Sequence, residues 1–324
     1  MYWLGIDIGS ISTDLVVMDS SFDIVEKLYL RTRGKPLEAV KEGMEILGRS
    51  FEDKDIGGAG LTGSGRALGA ALVGADVVKN EITAHARAAA FIDPEIHTVI
   101  EIGGQDSKLI VMKDGFVEDF AMNTVCAAGT GSFLDRQAER MGISVDEMGR
   151  MAAEAGKYVT IAGRCAVFAE SDIIHKQQKG ADEGELMAGM CHALASSFLS
   201  NLAKGRKIQS KICFQGGVAS NKGMRKAFED ILGCDVMVPK EHKVMGALGA
   251  AILACEKSRG ETAFRGFGMA GKKLEINEKD CGLCENNCSV VEISADGSFF
   301  GCCGDRCGMY SQRMVNGKER ISCG

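Results

Sequence analysis

The chain has 324 residues, 45% hydrophobic and 25% charged, a balance that excludes a disordered or collagen-like protein and suits about two domains. A net charge of −6 leaves no basic footprint for nucleic acid. The longest apolar-rich run, residues 244–255, falls short of the roughly 20 residues of a membrane-spanning helix. The chain opens directly on a strand, Tyr2-Trp3-Leu4-Gly5-Ile6-Asp7, with no basic stretch before it; an export signal is not expected. Thirteen cysteines then belong in a reducing cytoplasm, as metal ligands or redox groups rather than disulfides.

In chain order, an apolar strand ends in Asp7-Ile8-Gly9-Ser10 and a second strand follows at 13–19. Helices are predicted at 36–50 and 81–91, the latter holding the alanine-rich run 84–90, which reads as closely packed. Near residue 100 the first pattern returns: a strand, the turn Gly103-Gly104-Gln105-Asp106, and a strand over 108–112. Helices follow at 131–141, 144–155 and 185–204. A strand at 211–215 runs into Gly216-Gly217-Val218-Ala219, and a small-residue helix covers 245–256. Repeated strand–turn–strand–helix blocks predict a duplicated α/β fold. Residues 257–273, rich in Gly, Lys and Arg, read as a linker. Beyond it lie seven of the thirteen cysteines.

No Walker loop is present, which excludes a P-loop NTPase. Three glycine turns instead follow apolar strands, and glycine lets backbone N–H groups close on a phosphate. Asp7 and Asp106 sit where carboxylates hold Mg²⁺ or its waters. Two opposed hairpins are expected to clamp a triphosphate.

These residues resemble the phosphate 1, phosphate 2, adenosine and connect 2 motifs of the acetate and sugar kinase, Hsp70 and actin superfamily: Asp7-x-Gly9-Ser10-x-Ser12-Thr13, Ile102-Gly103-Gly104-Gln105-Asp106, Gln215-Gly216-Gly217-Val218 and Gly246-Ala247-Leu248-Gly249-Ala250. The resemblance implies an actin-like ATPase of two ribonuclease-H-like lobes with ATP between them. Lobe I would span 1–95 with the helix 245–258 returning to it, lobe II 96–244, and the linker and Cys-rich tail 259–324.

Two further motifs surround Cys126 (Asn123-Thr124-Val125-Cys126-Ala127-Ala128-Gly129-Thr130-Gly131-Ser132-Phe133) and Cys165 (Ala162-Gly163-Arg164-Cys165-Ala166-Val167-Phe168). Each cysteine is predicted at or just before a helix start, where free N–H groups and the positive dipole end favour a thiolate. A [4Fe–4S] cluster usually takes four thiolates, so two per chain predict a cluster closed across a twofold dimer. With Leu61-Thr62-Gly63-Ser64-Gly65-Arg66 and Glu81-Ile82-Thr83-Ala84-His85-Ala86, these stretches closely resemble the activator ATPases of 2-hydroxyacyl-CoA dehydratases and the ATPase subunits of benzoyl-CoA reductase, over about residues 1–256.

That resemblance implies a homodimer with one [4Fe–4S] cluster on Cys126 and Cys165 of both chains. It also implies ATP-driven transfer of a low-potential electron to an iron–sulfur acyl-CoA dehydratase or reductase in an anaerobic cell, with ferredoxin or flavodoxin as donor. It places nucleotide contacts on Ser10, Ile11, Ser12, Thr13, Asp14, Gln105 and Lys243, which join the turn glycines Gly9, Gly103, Gly104, Gly216 and Gly217 as the expected nucleotide-binding set. Asp7 and Asp106 would organise Mg²⁺, and Gln105 the attacking water. Asp14 stands where many members carry Lys, Ser64 where Tyr is common, and Lys243 replaces a Gln.

The tail reads Cys281-x2-Cys284-x3-Cys288-x13-Cys302-Cys303-x3-Cys307, with Cys323 beyond. Paired cysteines at this spacing point to a metal, either Zn²⁺ or a second [4Fe–4S] cluster. A β-hairpin with an Asp296-Gly297 turn is predicted to bring the two groups together. Part of the tail resembles a Cys-rich region that follows the ATPase module in larger activator-like proteins. Cys191, Cys213, Cys234 and Cys255, within apolar patterns, read as core residues, and the five histidines as structural. Two other functions fit the superfamily: a small-molecule kinase, which needs neither Cys126 nor Cys165, and an ATP-switched metal-binding scaffold.

Overall fold

A computed structural model describes residues 1–123, 129–163, 166–257 and 260–315. They form two compact units, one of Met1–Ala84 with the chain from Gly246 onward, the other His85–Met245. In the first unit, β1 (Tyr2–Ile8), β2 (Ser12–Asp19) and β3 (Ile24–Arg31) form an antiparallel meander. Then α1 (Pro36–Leu47), β4 (Ile56–Thr62), α2 (Arg66–Val73) and β5 (Val77–Val78) follow, with β4 parallel to β1. The sheet order is β3-β2-β1-β4-β5. Helix α3 (Glu81–Ile92) runs across the division between the units.

The second unit repeats the plan. Strands β6 (Thr98–Ile102), β7 (Ser107–Lys113) and β8 (Phe116–Asn123) are an antiparallel meander. After α4 (Gly131–Met141), α5 (Val145–Glu154), α6 (Ala166–Gln178) and α7 (Glu183–Leu202) come β9 (Ile212–Gln215), α8 (Lys222–Leu232) and β10 (Val236–Met237). The sheet order is β10-β9-β6-β7-β8, with β6–β9 and β9–β10 parallel. Each sheet thus has two antiparallel pairs beside two parallel ones, which is the duplication read from the sequence. Side-chain caps start α5, α7 and α8: Ser144, Asp182 and Asn221 accept the amides of Glu147, Glu185 and Met224, each worth about 1 kcal/mol. The core under the sheet is anchored by Phe214 and Phe198, both packed edge-on against Phe228.

The chain then returns to the first unit through α9 (Met245–Lys257). A Cβ on Gly5 or Gly60 would stand 1.9 Å from the Ala247 carbonyl oxygen or 2.1 Å from that of Ala250. Only glycine in β1 and β4 lets this helix lie so close on the sheet. Beyond it, β11 (Leu274–Asp280), β12 (Ser289–Ala295) and β13 (Ser298–Cys303) form an antiparallel sheet, followed by α10 (Met309–Val315). Asp296 and Gly297 both have positive φ, the conformation a two-residue hairpin turn needs.

Three features here differ from the sequence reading. Residues 260–273 are not a free linker. The Thr262 hydroxyl donates to Asp76 (2.7 Å), the Arg265 amide to the Val73 carbonyl (2.9 Å) and the Phe267 amide to Asp53 (2.7 Å). Phe267 and Met269 are buried in the core of the first unit; their apolar weight was masked by the surrounding Gly, Lys and Arg. The Cys-rich tail, expected as a third piece, falls within that same unit. Ile293 shares its core, and Gly301 of β13 lies against the Ala71 carbonyl of α2. The division falls at residues 84/85 and 245/246 rather than at 95/96 and 244/245.

Candidate functional site

In the first unit the β1–β2 turn is closed by the Gly9 amide donating to the Ser12 carbonyl (2.9 Å). It is braced by Thr32, whose hydroxyl donates to the Gly9 carbonyl (2.8 Å) and lies 3.0 Å from the Thr13 hydroxyl. Ser10 is exposed at the tip, with Ile11 and Ser12 half-buried. Asp7 is packed on two sides by glycine. A Cβ on Gly246, at the start of α9, would fall 1.9 Å from Asp7 Oδ2, and one on Gly63 would fall 2.5 Å from Oδ1. A carboxylate beside a helix N-terminus is electrostatically favoured.

Asp14 is the cross-strand partner of Asp7 and is only 5% exposed. Burial, and then the Asp7 carboxylate, push its carboxyl well above the usual range, against a smaller lowering by the Ser12 hydroxyl. Ser12 donates to Asp14 Oδ2 (3.3 Å), while Oδ1 is buried without a partner. Two acids therefore face each other across β1 and β2.

In the second unit the β6–β7 turn is closed by the Gly103 amide donating to the Asp106 carbonyl (3.0 Å). Gln105 is exposed at its tip. Asp106 is not a free carboxylate: Lys108 Nζ donates to Asp106 Oδ2 (2.8 Å) and to Glu101 Oε2 (2.9 Å). Burial alone would depress the Lys108 ammonium, but the carboxylates of Glu101 and Asp106 outweigh it and push it above its ordinary value. The loop is also tied to the helix that follows β8. The Gly131 amide donates to the Gly103 carbonyl and the Ser132 amide to the Gly104 carbonyl, both at 2.9 Å.

The third glycine turn joins the same group. Gly216 has φ +91°, and a Cβ there would stand 2.4 Å from the Ile102 carbonyl oxygen. Its amide donates to the His242 carbonyl (2.8 Å), and His242 Nδ1 lies 3.0 Å from the Gly216 carbonyl. Lys243, next along, is exposed. The structure therefore gathers Gly103, Gly104, Gln105, Asp106, Gly216 and Gly217 in one unit. It holds Asp7, Gly9, Ser10, Ile11, Ser12, Thr13 and Asp14 in the other.

Sequence reading singled out neither Glu101 nor Lys108. Their signal was two opposite charges inside strands that otherwise read as apolar, at positions a hairpin places face to face. His242 was read as structural and holds the Gly216 turn.

Cys126 and Cys165 lie outside the described residues. Their flanks are described. Asn123 ends β8, and α4 begins at Gly131. Helix α6 begins at Ala166, the residue after Cys165. Cys191 and Cys213 are fully buried, and burial pushes both thiols up to about 12, which suits inert core residues. Cys234 and Cys255 are only partly buried.

In the tail, Cys281 and Cys288 are buried, Cys284, Cys302 and Cys303 half-buried, and Cys307 exposed; Cys323 is outside the described residues. Among the described residues no three His, Cys, Asp or Glu side chains stand together as a metal cage. No helix among them is long and apolar enough to cross a membrane.

Residues 4–254 match the model of the BadF/BadG/BcrA/BcrD ATPase family. The chain is 37% identical over 263 residues to the (R)-2-hydroxyglutaryl-CoA dehydratase activating ATPase of Acidaminococcus fermentans, covering 80% of this chain and 98% of that protein. It is 35% identical to the activator of lactoyl-CoA dehydratase of Anaerotignum propionicum, over 80% and 99% of the two chains. The solved activator of the 2-hydroxyisocaproyl-CoA dehydratase from Clostridium difficile, with bound ADPNP, superposes with a TM-score of 0.72 at 33% identity, over 80% and 96% of the two chains.

Proposed function

The chain belongs to the BadF/BadG/BcrA/BcrD ATPase family, and from that premise we propose that this ATPase hydrolyses ATP to drive one low-potential electron into the iron–sulfur component of an acyl-CoA dehydratase or reductase. The observation that carries the reading is 37% identity along 98% of a dehydratase-activating ATPase. A reduced ferredoxin or flavodoxin supplies the electron.

The residues fit a [4Fe–4S] cluster. Two thiols per chain, Cys126 and Cys165, make half of a four-thiolate set, and a homodimer completes it. Helix α6 begins at Ala166, directly after Cys165, and a helix start favours thiolate over thiol. When bound, the cluster supplies reversible one-electron chemistry.

The rest falls to the polypeptide. The turns of Gly9–Asp14 and Gly103–Asp106 offer backbone N–H groups to phosphates, with Gly216 and Gly217 beside the second turn. Asp7, held between Gly63 and Gly246, is placed to hold Mg²⁺ and its water. Gln105, exposed on its loop, orients the attacking water, and Lys108 fixes Asp106 beside it. Loss of the γ-phosphate alters the contacts of the 103–106 turn. That turn carries the first two amides of α4 on its carbonyls, so its displacement moves the helix that follows Cys126.

The test separates transfer from hydrolysis. With γ-labelled ATP, the account expects label in inorganic phosphate and electrons in an iron–sulfur acceptor only while ATP turns over. Label transferred to a sugar or carboxylic acid would instead make the protein a small-molecule kinase.

A further inference from the structure

We propose that the C-terminal sheet carries its own thiolate metal centre, built from Cys281, Cys288 and Cys302 and completed by Cys284 or Cys307, with Cys303 excluded. It takes a soft metal, as zinc or as an iron–sulfur cluster, and does not rest on the electron-transfer reading above.

The strand register makes the selection. The last β11–β12 pair is Asp280 with Ser289, and one step further the Cys281 amide donates to the Cys288 carbonyl (2.8 Å). Across β12, Glu292 faces Cys302 and Val291 faces Cys303. Cross-strand partners share a face and neighbours along a strand alternate. Cys281, Cys288, Val290, Glu292 and Cys302 therefore lie on one face, and Cys303 on the other. The packing agrees: Cys281, Cys288, Val290 and Tyr310 form one buried cluster with Cys302 against it.

The chain also curls at the sulfurs. Gly282 (φ +62°), Gly304 (φ +108°) and Gly308 (φ +73°) follow Cys281, Cys303 and Cys307, and Asn287 (φ +38°) precedes Cys288. Such turns point backbone amides at sulfur, and one is in place: the Arg306 amide donates to Cys288 Sγ (3.4 Å). That contact brings the 304–308 turn, and so Cys307, to the same end of the sheet.

The thiols do not yet converge as a cage. A metal draws thiols together by displacing their protons. A rotation about one Cα–Cβ bond re-aims each sulfur, and the strand register holds Cys281, Cys288 and Cys302 on one face. Within the first unit the sheet is anchored to α2: Arg265 donates to the Ala71 carbonyl (2.7 Å) and stacks over the Phe300 ring at 4.7 Å.

The experiment uses the full chain purified without oxygen and carrying Cys126→Ala and Cys165→Ala, so that no iron of the proposed intersubunit cluster is counted. Metal analysis should find about one zinc per chain, or about four irons with matching sulfide. Adding Cys281→Ser and Cys288→Ser should lower that content at least about tenfold, while adding Cys303→Ser should leave it unchanged. A tail-intact protein without metal overturns the proposal, as does metal that survives the Cys281/Cys288 change or disappears with Cys303→Ser. If the double variant does not fold, Co²⁺ titrated into chelator-stripped, tail-intact protein decides. A thiolate-to-cobalt absorbance band that is absent when Cys302→Ser is present supports the centre; no band overturns it.

Discussion

The Ser132 amide donates to the Gly104 carbonyl at 2.9 Å, so the Gly103–Asp106 turn of the second unit and the helix downstream of Cys126 are hydrogen-bonded to each other. The Ser132 hydroxyl donates to the same carbonyl. One residue therefore makes two bonds between that turn and α4, the helix that follows a proposed cluster ligand. In the proposed mechanism, coupling of hydrolysis to electron delivery would run through this contact.

Ser132→Ala removes the side-chain bond and keeps the amide. A hydrogen bond is worth about 1 kcal/mol, which corresponds to about a fivefold effect. The expected result is an ATPase rate within about twofold of wild type and electron delivery per ATP lowered about fivefold. Equal loss of both activities would show that the residue acts on hydrolysis rather than on coupling.

Gly246→Ala puts a methyl group 1.9 Å from Asp7 Oδ2. Asp7 must shift, and Mg²⁺-dependent hydrolysis should fall at least tenfold, since a displacement of about 1 Å can cost about a hundredfold. Far-UV circular dichroism should stay unchanged. Wild-type hydrolysis would remove Asp7 from the proposed site.

Lys108→Met leaves Glu101 buried without its cation. Breaking a buried ion pair from one side costs about 3–5 kcal/mol, read as a lowered urea midpoint. Combining it with Glu101→Leu should recover most of the loss, because burying two apolar groups avoids the stranded charge.

Asp14 tests the electrostatics of the first turn. Its folded carboxyl titrates above the ordinary value of 3.8, so folding favours the protonated form. Its contribution is fully favourable below the unfolded pKa and is lost as pH rises through the folded one. Asp14→Asn, neutral throughout, should be more stable than wild type at pH 7, with the advantage shrinking toward pH 4. Thermal midpoints of both proteins across that range check this; a constant gap would mean that Asp14 ionisation plays no part.

The hairpins were legible because a glycine turn between apolar strands is a local pattern, and local pairing in each unit followed it. The Asp296-Gly297 turn was legible for the same reason. Helix α8 was not singled out, although Met224, Ala227 and Phe228 have helical spacing and are fully buried. Gly223 at its start broke the run, and that glycine is needed because a Cβ would meet Ala152 at 2.4 Å. The docking of 260–273 was hidden because Phe267 and Met269 were diluted among charged and glycine neighbours. The Glu101–Lys108 pair was hidden because a buried ion pair depends on which strands are covered, and that is decided by tertiary packing.

The most direct measurement is the iron and acid-labile sulfide content of anaerobically purified dimer carrying Cys281→Ser and Cys288→Ser, which removes the tail as a source. The account predicts about four irons and four sulfides per two chains, lost together with the brown absorbance when Cys126→Ala or Cys165→Ala is added. A dimer that keeps its iron and sulfide after either change would contradict it.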